Sequence, residues 1–197
     1  MISSPGGIRP CVIGAFAGHA RARFPQLSPA AACFYAVRDM PYALDGAHDA
    51  TGLLEQGRGD CLAKSELLSL ALRQLGARTR FVRWPYLLPE VVPEVAALPA
   101  RLDVHRAVHV QVGASWVLAD ATHHPGLRGT ALAVNDWDGS HDTGPGYPPA
   151  GPMIIGEYPR DRVASTCEEA TSWTANCPAE ILTRWRSAYI AWLRQHE

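Results

Sequence analysis

Lysine is almost absent from this chain: of 18 basic residues only Lys64 is a lysine, a bias that GC-rich coding produces and that points to no guanidinium-specific task. Excess charge is missing too, since 18 basic residues face 19 acidic ones for a net charge of -1. The chain therefore offers no field to draw in a nucleic acid or an anionic membrane. No segment approaches the ~18 apolar residues a membrane span needs, and the amino terminus lacks a basic region followed by a long apolar run. These absences lead us to expect a cytoplasmic protein with no nucleic-acid and no membrane partner. Five cysteines (Cys11, Cys33, Cys61, Cys167 and Cys177) are an odd number without framework spacing, consistent with reduced thiols, and Cys167 with Cys177 is the one pairing left open. No internal repeat is visible.

What is present suits one compact catalytic domain over 1–197, because 197 residues at 47% hydrophobic can bury a real core. Ser28 followed by Pro29 reads as a cap and first helical residue, opening a helix through about Arg38 with Ala31, Phe34 and Val37 inward. A short helix near 49–55 leads into a glycine-rich approach to Cys61. A strand is expected over 78–84, and a short helix around 90–97 among Pro85, Pro89, Pro93 and Pro99. Residues 122–151 form a Gly, Pro and Asp rich stretch, long enough to be either a lid over the site or a structural wrap. A strand over 153–158 and an amphipathic helix over 178–196 close the chain. On that helix Ile181, Trp185, Ala188, Tyr189 and Trp192 share a face suited to core or dimer packing, and the oligomeric state stays open.

The chemistry centres on Gly57-Arg58-Gly59-Asp60-Cys61. From 62 to 75 the apolar positions recur at three and four spacing, so Cys61 falls in the first turn of a helix, with Asp60 as its cap. A thiol there sees unpaired backbone NH groups and the positive end of the helix dipole, which favour the thiolate. A lone cysteine is also ordinary core filler, so partners are required.

Residues 104–112 alternate as a half-buried strand, and 116–121 read as its return. With a Gly113-Ala114 turn, Asp120 lies opposite Ala107 and diagonal to His105 and His109; with an Ala114-Ser115 turn it lies opposite His109. Either register puts His105, Ala107, His109, Gln111, Trp116, Leu118 and Asp120 on one face and Val108, Val110, Val112, Val117, Ala119 and Ala121 on the other. The second face is the expected apolar core, the first the chemical one. A carboxylate accepting the imidazole NH fixes its tautomer and stabilises the imidazolium formed when the ring takes a thiol proton.

The order Gly-x-Gly-Asp-Cys61, then Gly76-Ala-Arg-Thr-Arg-Phe-Val82, then Asp103-Val-His105 and Trp116-Val-Leu-Ala-Asp120-Ala-Thr122 resembles the transglutaminase-like cysteine enzyme superfamily over about 34–125. The resemblance implies an α+β, papain-like core with the nucleophile on a central helix packed on an antiparallel sheet. It also implies catalytic Cys61, His105 and Asp120, since the family spacing of fifteen residues from His to Asp matches 120 - 105 = 15. Ala107 and His109 stand where many relatives carry an aromatic and an acid, and Ala121 stands where proline is frequent. This marks a divergent, bacterial-type branch with His109 as the reserve base. The expected activity is acyl transfer through a thioester on a peptide, amide or acyl-thioester substrate, with water or an amine as acceptor, and with no cofactor and no metal.

Two other classes fit parts of the pattern. One is a catalytically idle binding or scaffold domain on the same fold. The other is a zinc site drawn from Cys61, His105, His109, Asp120, His123 and His124, which suffers because strand residues four apart are roughly 13 Å apart at about 3.3 Å per residue.

Overall fold

A computed structural model describes residues 8–156 and 173–197. Pro10 opens α1 (Pro10–Arg23), a helix the sequence pattern did not mark, because its buried stripe is only Ile13, Ala17 and Ala20. Alanines at helical spacing give little hydrophobic contrast to read. α2 (Pro29–Arg38) is as expected: Ser28 Oγ accepts from Ala31 N at 3.2 Å, and Ala31, Phe34 and Val37 are buried. β1 (Tyr42–Ala47) was not anticipated, since Asp45-Gly46 is a poor strand former; it bridges to Gly59 from Tyr42 and Ala47 and stays outside the main sheet. α3 (Ala50–Gln56) is capped by Asp49, whose Oδ1 accepts from Gly52 N at 2.8 Å.

α4 (Cys61–Gln74) is followed by β2 (Thr79–Leu87), which runs beyond the expected end and through Pro85. Proline is tolerated there because β5 (Ile154–Gly156) pairs only with Phe81–Arg83, and beyond it Pro85 meets a loop through its carbonyl alone, which accepts from Ala150 N at 2.8 Å. The expected helix over 90–97 shortens to a 3-10 turn at Pro93–Ala97. Next come β3 (Leu102–Val112) and β4 (Ser115–Ala119), joined by Gly113-Ala114 with Gly113 at φ +59°. Pairing of Val112 with Ser115 and of Val108 with Ala119 selects the first of the two expected registers, and β4 ends two residues before the expected 121. After β5, whose expected continuation to Tyr158 lies outside the described residues, come α5 (Trp173–Asn176) and α6 (Ala179–Arg194).

The sheet is antiparallel throughout, in the order β4-β3-β2-β5, and the fold is α+β. One face, carrying Phe81, Val108, Val110, Val117 and Ala119, packs on α1, α2 and α4 through Ile13, Phe34, Val37, Leu67, Leu68 and Leu72. The other face, with Val82, Trp84, Tyr86, Ala107 and Leu118, is covered by Leu127, Leu132 and Tyr147 and by Trp185, Tyr189 and Leu193 of α6. The expected division of faces holds, with His105 and Asp120 opposite Val108, Val110, Val117 and Ala119, but around those two residues the chemical face is itself apolar and covered, so both are embedded in it. Among the described residues no helix is long and apolar enough to cross a membrane.

Candidate active site

The turn before α4 is locked from three sides. Gly59 N donates to Pro41 O at 3.1 Å and Asp60 N to Ala47 O at 3.0 Å. A side chain at Gly59 would bring Cβ within 2.7 Å of Ala47 O, so glycine alone fits this close approach. Asp60 caps the helix through Oδ1, which accepts from Ala63 N at 2.9 Å, and pairs through Oδ2 with His48 Nδ1 at 2.7 Å. Cys61 is thus the first helical residue, and it is 9% exposed. One turn on, Lys64 is fully buried and donates to Arg38 O at 3.1 Å and Met40 O at 2.6 Å, tying α4 to the end of α2. Burial lowers its pKa to about 7, with the Asp120 charge the strongest influence in the other direction.

β4 pairs only with Val108–Val112, so on that edge the stretch 102–107 has no neighbour among the described strands. The first turn of α4 reaches this open stretch, where Arg106 donates to Leu62 O. His105 lies here, with Asp120 just past the end of β4. Its Nε2 and Asp120 Oδ2 are 2.8 Å apart and neither side chain reaches solvent. A carboxylate only accepts, so Nε2 carries the proton and donates. Burial alone would raise the Asp120 carboxyl, but the His105 charge and hydrogen bond, with Thr122 and Gly146, hold it well below the usual carboxylate range. Burial likewise opposes charge on His105, yet the Asp120 charge and hydrogen bond, followed by Cys61, raise its pKa to about 10.

The Cys61 thiol is one of the groups whose charge acts on the imidazole. It falls short of a fully formed hydrogen bond, because the buried Nδ1 has no bonded partner. With Nε2 taken by Asp120, Nδ1 is the nitrogen left for the sulfur. Trp84, Tyr147 and Tyr86 box the ring in, with centroids 4.7, 5.1 and 6.2 Å from it.

The segment after Asp120 does much of the positioning. Gly146 N donates to Asp120 Oδ2 at 2.7 Å and Thr122 N to Oδ1 at 3.2 Å. Asp120 N donates to Thr143 Oγ1 at 3.1 Å, while Asn135 Nδ2 bridges Asp120 O at 3.1 Å and Gly144 O at 2.8 Å. Sequence reasoning missed Asn135, Thr143 and Gly146; the only signal was that they lie in the long glycine-rich stretch directly after the aspartate.

The transglutaminase-like superfamily profile matches residues 20–121, which span Cys61, His105 and Asp120 and more than half of the chain. The chain belongs to the transglutaminase-like superfamily. Members of this superfamily typically act through a cysteine. Among solved structures, a candidate cysteine protease from Cytophaga hutchinsonii is similar at 18% identity and a TM-score of 0.43, over 63% of this chain and 42% of that one. A TGase is similar at 16% identity and a TM-score of 0.41, over 59% of this chain and 32% of that one. The chain thus spans less than half the length of either structure it matches. No curated protein matches it.

The other candidate histidines of this transglutaminase-like chain, His109, His123 and His124, have other partners. His109 Nδ1 lies 3.4 Å from Arg80 Nη2, and burial followed by the Arg80 charge lowers its pKa. His123 Nδ1 bonds Ala133 O at 2.9 Å, and burial lowers its pKa to about 3. His124 is held at both nitrogens, Nδ1 accepting from Tyr42 N at 3.1 Å and Nε2 donating to His196 O at 2.9 Å. Among the described residues no three His, Cys, Asp or Glu side chains are grouped to hold a metal ion. Cys11, Cys33 and Cys177 are free thiols, burial raises Cys33 to about 11, and Cys167 lies outside the described residues.

Proposed function

We propose that this chain is a cysteine-dependent acyl-transfer enzyme in which Cys61 is the nucleophile, His105 the base and Asp120 the residue that orients it. The observation that carries the reading is the buried His105 and Asp120 pair, with Nε2 committed to the carboxylate, Nδ1 left without a bonded partner, and the Cys61 charge acting on the ring. In the reactive pair Nδ1 already holds the proton given up by the thiol; Sγ, as the thiolate, bonds to the carbonyl carbon, while the π electrons of the carbonyl move onto its oxygen. The Cys61 backbone NH, free at the start of a helix, donates to that oxyanion. The carbonyl then re-forms, the bond to the leaving amine, alcohol or thiol breaks, and the leaving group takes the proton from Nδ1. Water or an amine, deprotonated by His105, attacks the resulting thioester and Sγ departs, giving hydrolysis or amide-bond formation. Peptides and amides are the substrates the family suggests. We read 122–151 as a brace for Asp120 in preference to a lid, because its middle is bonded to both the main chain and the carboxylate of that residue.

The test is mass spectrometry of the intact chain after incubation with activated acyl thioesters, esters and glutaminyl peptides, with and without an added amine. The expected result is an acyl adduct on Cys61, discharged by water or amine and absent in Cys61→Ala. No adduct and no turnover across these acyl donors would favour an idle scaffold domain on the same fold.

A further inference from the structure

Arg106 follows His105 on β3, so the two side chains leave the strand on opposite faces. Arg106 has almost no contact with solvent, at 7% exposure. Its Nε donates to Ser65 Oγ at 2.8 Å and its Nη2 to the Leu62 carbonyl, and Ser65 Oγ itself donates to that carbonyl at 3.2 Å. The guanidinium carbon lies 4.4 Å from the centre of the Phe81 ring. The carbonyl, hydroxyl and ring face that this buried cation meets are all neutral, and burying a charge without a counter-charge is costly. Among the groups whose charge acts on it, Cys61 of α4 is the strongest, ahead of Arg83, which faces it across the β2 and β3 pair and opposes it. Glu66, in the second turn of α4, and Asp60, its cap, act more weakly in the same sense as Cys61.

We propose that Arg106 is a positioning residue for Cys61: its guanidinium pins the first turn of α4 to the open edge of β3 and sets a fixed positive charge beside the thiolate. The inference rests on the reading of Cys61 as the nucleophile and deepens it. His105 supplies a proton-bearing charge from one face of the strand and Arg106 a permanent one from the other. An arginine keeps its charge at every working pH, so the thiolate retains one cation even when the imidazole is neutral.

The test is the pH dependence of Cys61 alkylation by iodoacetamide in the full-length chain, read by peptide mass spectrometry, with Cys11 as internal reference and thermal melts to establish folding. Arg106→Gln keeps amide donors and loses the charge; Arg106→Lys keeps the charge and loses the fork. The Gln variant is expected to react about tenfold more slowly than wild type near neutral pH and to converge with it at high pH, as a shift of about one unit in the thiolate midpoint requires. The Lys variant is expected to recover most of that loss. A wild-type profile in Arg106→Gln would overturn the proposal, as would an equal loss at every pH, which is what a merely structural displacement gives. Should Arg106→Gln not fold, Arg106→Lys decides alone, a near-wild-type midpoint supporting the proposal and a raised midpoint overturning it. His105→Ala in the same series separates the two readings. If it leaves the profile unmoved, the base assignment fails whatever Arg106 does; if it shifts the profile while Arg106→Gln does not, only the present inference fails.

Discussion

At the scale of single residues, the central object is an ion pair sealed from solvent, and its energetics set a pH window. His105 binds its proton more tightly folded than unfolded, so its contribution to stability is complete below about pH 6.5 and is lost as pH rises toward about 10. Asp120 is depressed, so its contribution is present above its ordinary value of 3.8 and is lost only as pH falls below it. Breaking one partner of a buried pair costs about 3 kcal/mol or more. We therefore expect Asp120→Asn to be less stable than wild type by about that amount near pH 5.5, with the gap closing as pH rises toward 10. Urea denaturation of both proteins across that range measures it, and a gap independent of pH would contradict the pairing. The placement of Cys61 at a helix start and of His105 beside Asp120 was legible because helix capping, strand alternation and spacing all leave marks in the sequence. Arg106 and Gly146 were not, because their partners Ser65 and Asp120 lie 41 and 26 residues away and nothing local signals them.

At the scale of elements, two devices hold the site: the capped start of α4 and the brace after β4. Asp60→Ala removes a cap and the partner of His48, and should cost about 1 kcal/mol of stability by chemical denaturation. No change in midpoint would mean that the cap is redundant. Asn135→Ala removes two side-chain bonds that fix Asp120 O and Gly144 O, and should cost roughly 1–3 kcal/mol. If the brace positions the carboxylate, Asn135→Ala should also slow Cys61 alkylation in the folded protein; an unchanged rate would leave it a structural bond alone. Strong signals such as Ser28-Pro29, Asp49 and the Gly113 turn gave elements close to their observed bounds. The misses have physical causes as well. The alanine stripe of α1 carries little contrast, β1 is made by bridges to Gly59 more than by its own propensity, and Pro85 within β2 is permitted only because β5, far away in sequence, pairs no further than Arg83.

At the scale of the whole molecule, the sheet is covered on both faces, and the buried pair sits where the second cover meets the open edge of β3. α6 contributes Trp185, Tyr189 and Leu193 to that cover, as the amphipathic pattern of 178–196 suggested, but no sequence rule indicated which sheet face it would meet. The order of Cys, His and Asp carried the α+β class, because that order is a property of how a helix and a hairpin are connected. Depth of burial was not legible, since the covering residues are scattered over the second half of the chain. The proposed chemistry depends on the imidazole at 105, and not the one at 109, reaching the thiol of Cys61. The most direct measurement is the rate of Cys61 alkylation by iodoacetamide below pH 8 in wild type, His105→Ala and His109→Ala, with the other cysteines quantified in the same digest. Cys61 is expected to react faster than the other thiols, His105→Ala to slow it by about tenfold, and His109→Ala to leave it nearly unchanged. Equal rates at all cysteines, or a larger effect from His109→Ala, would contradict the account.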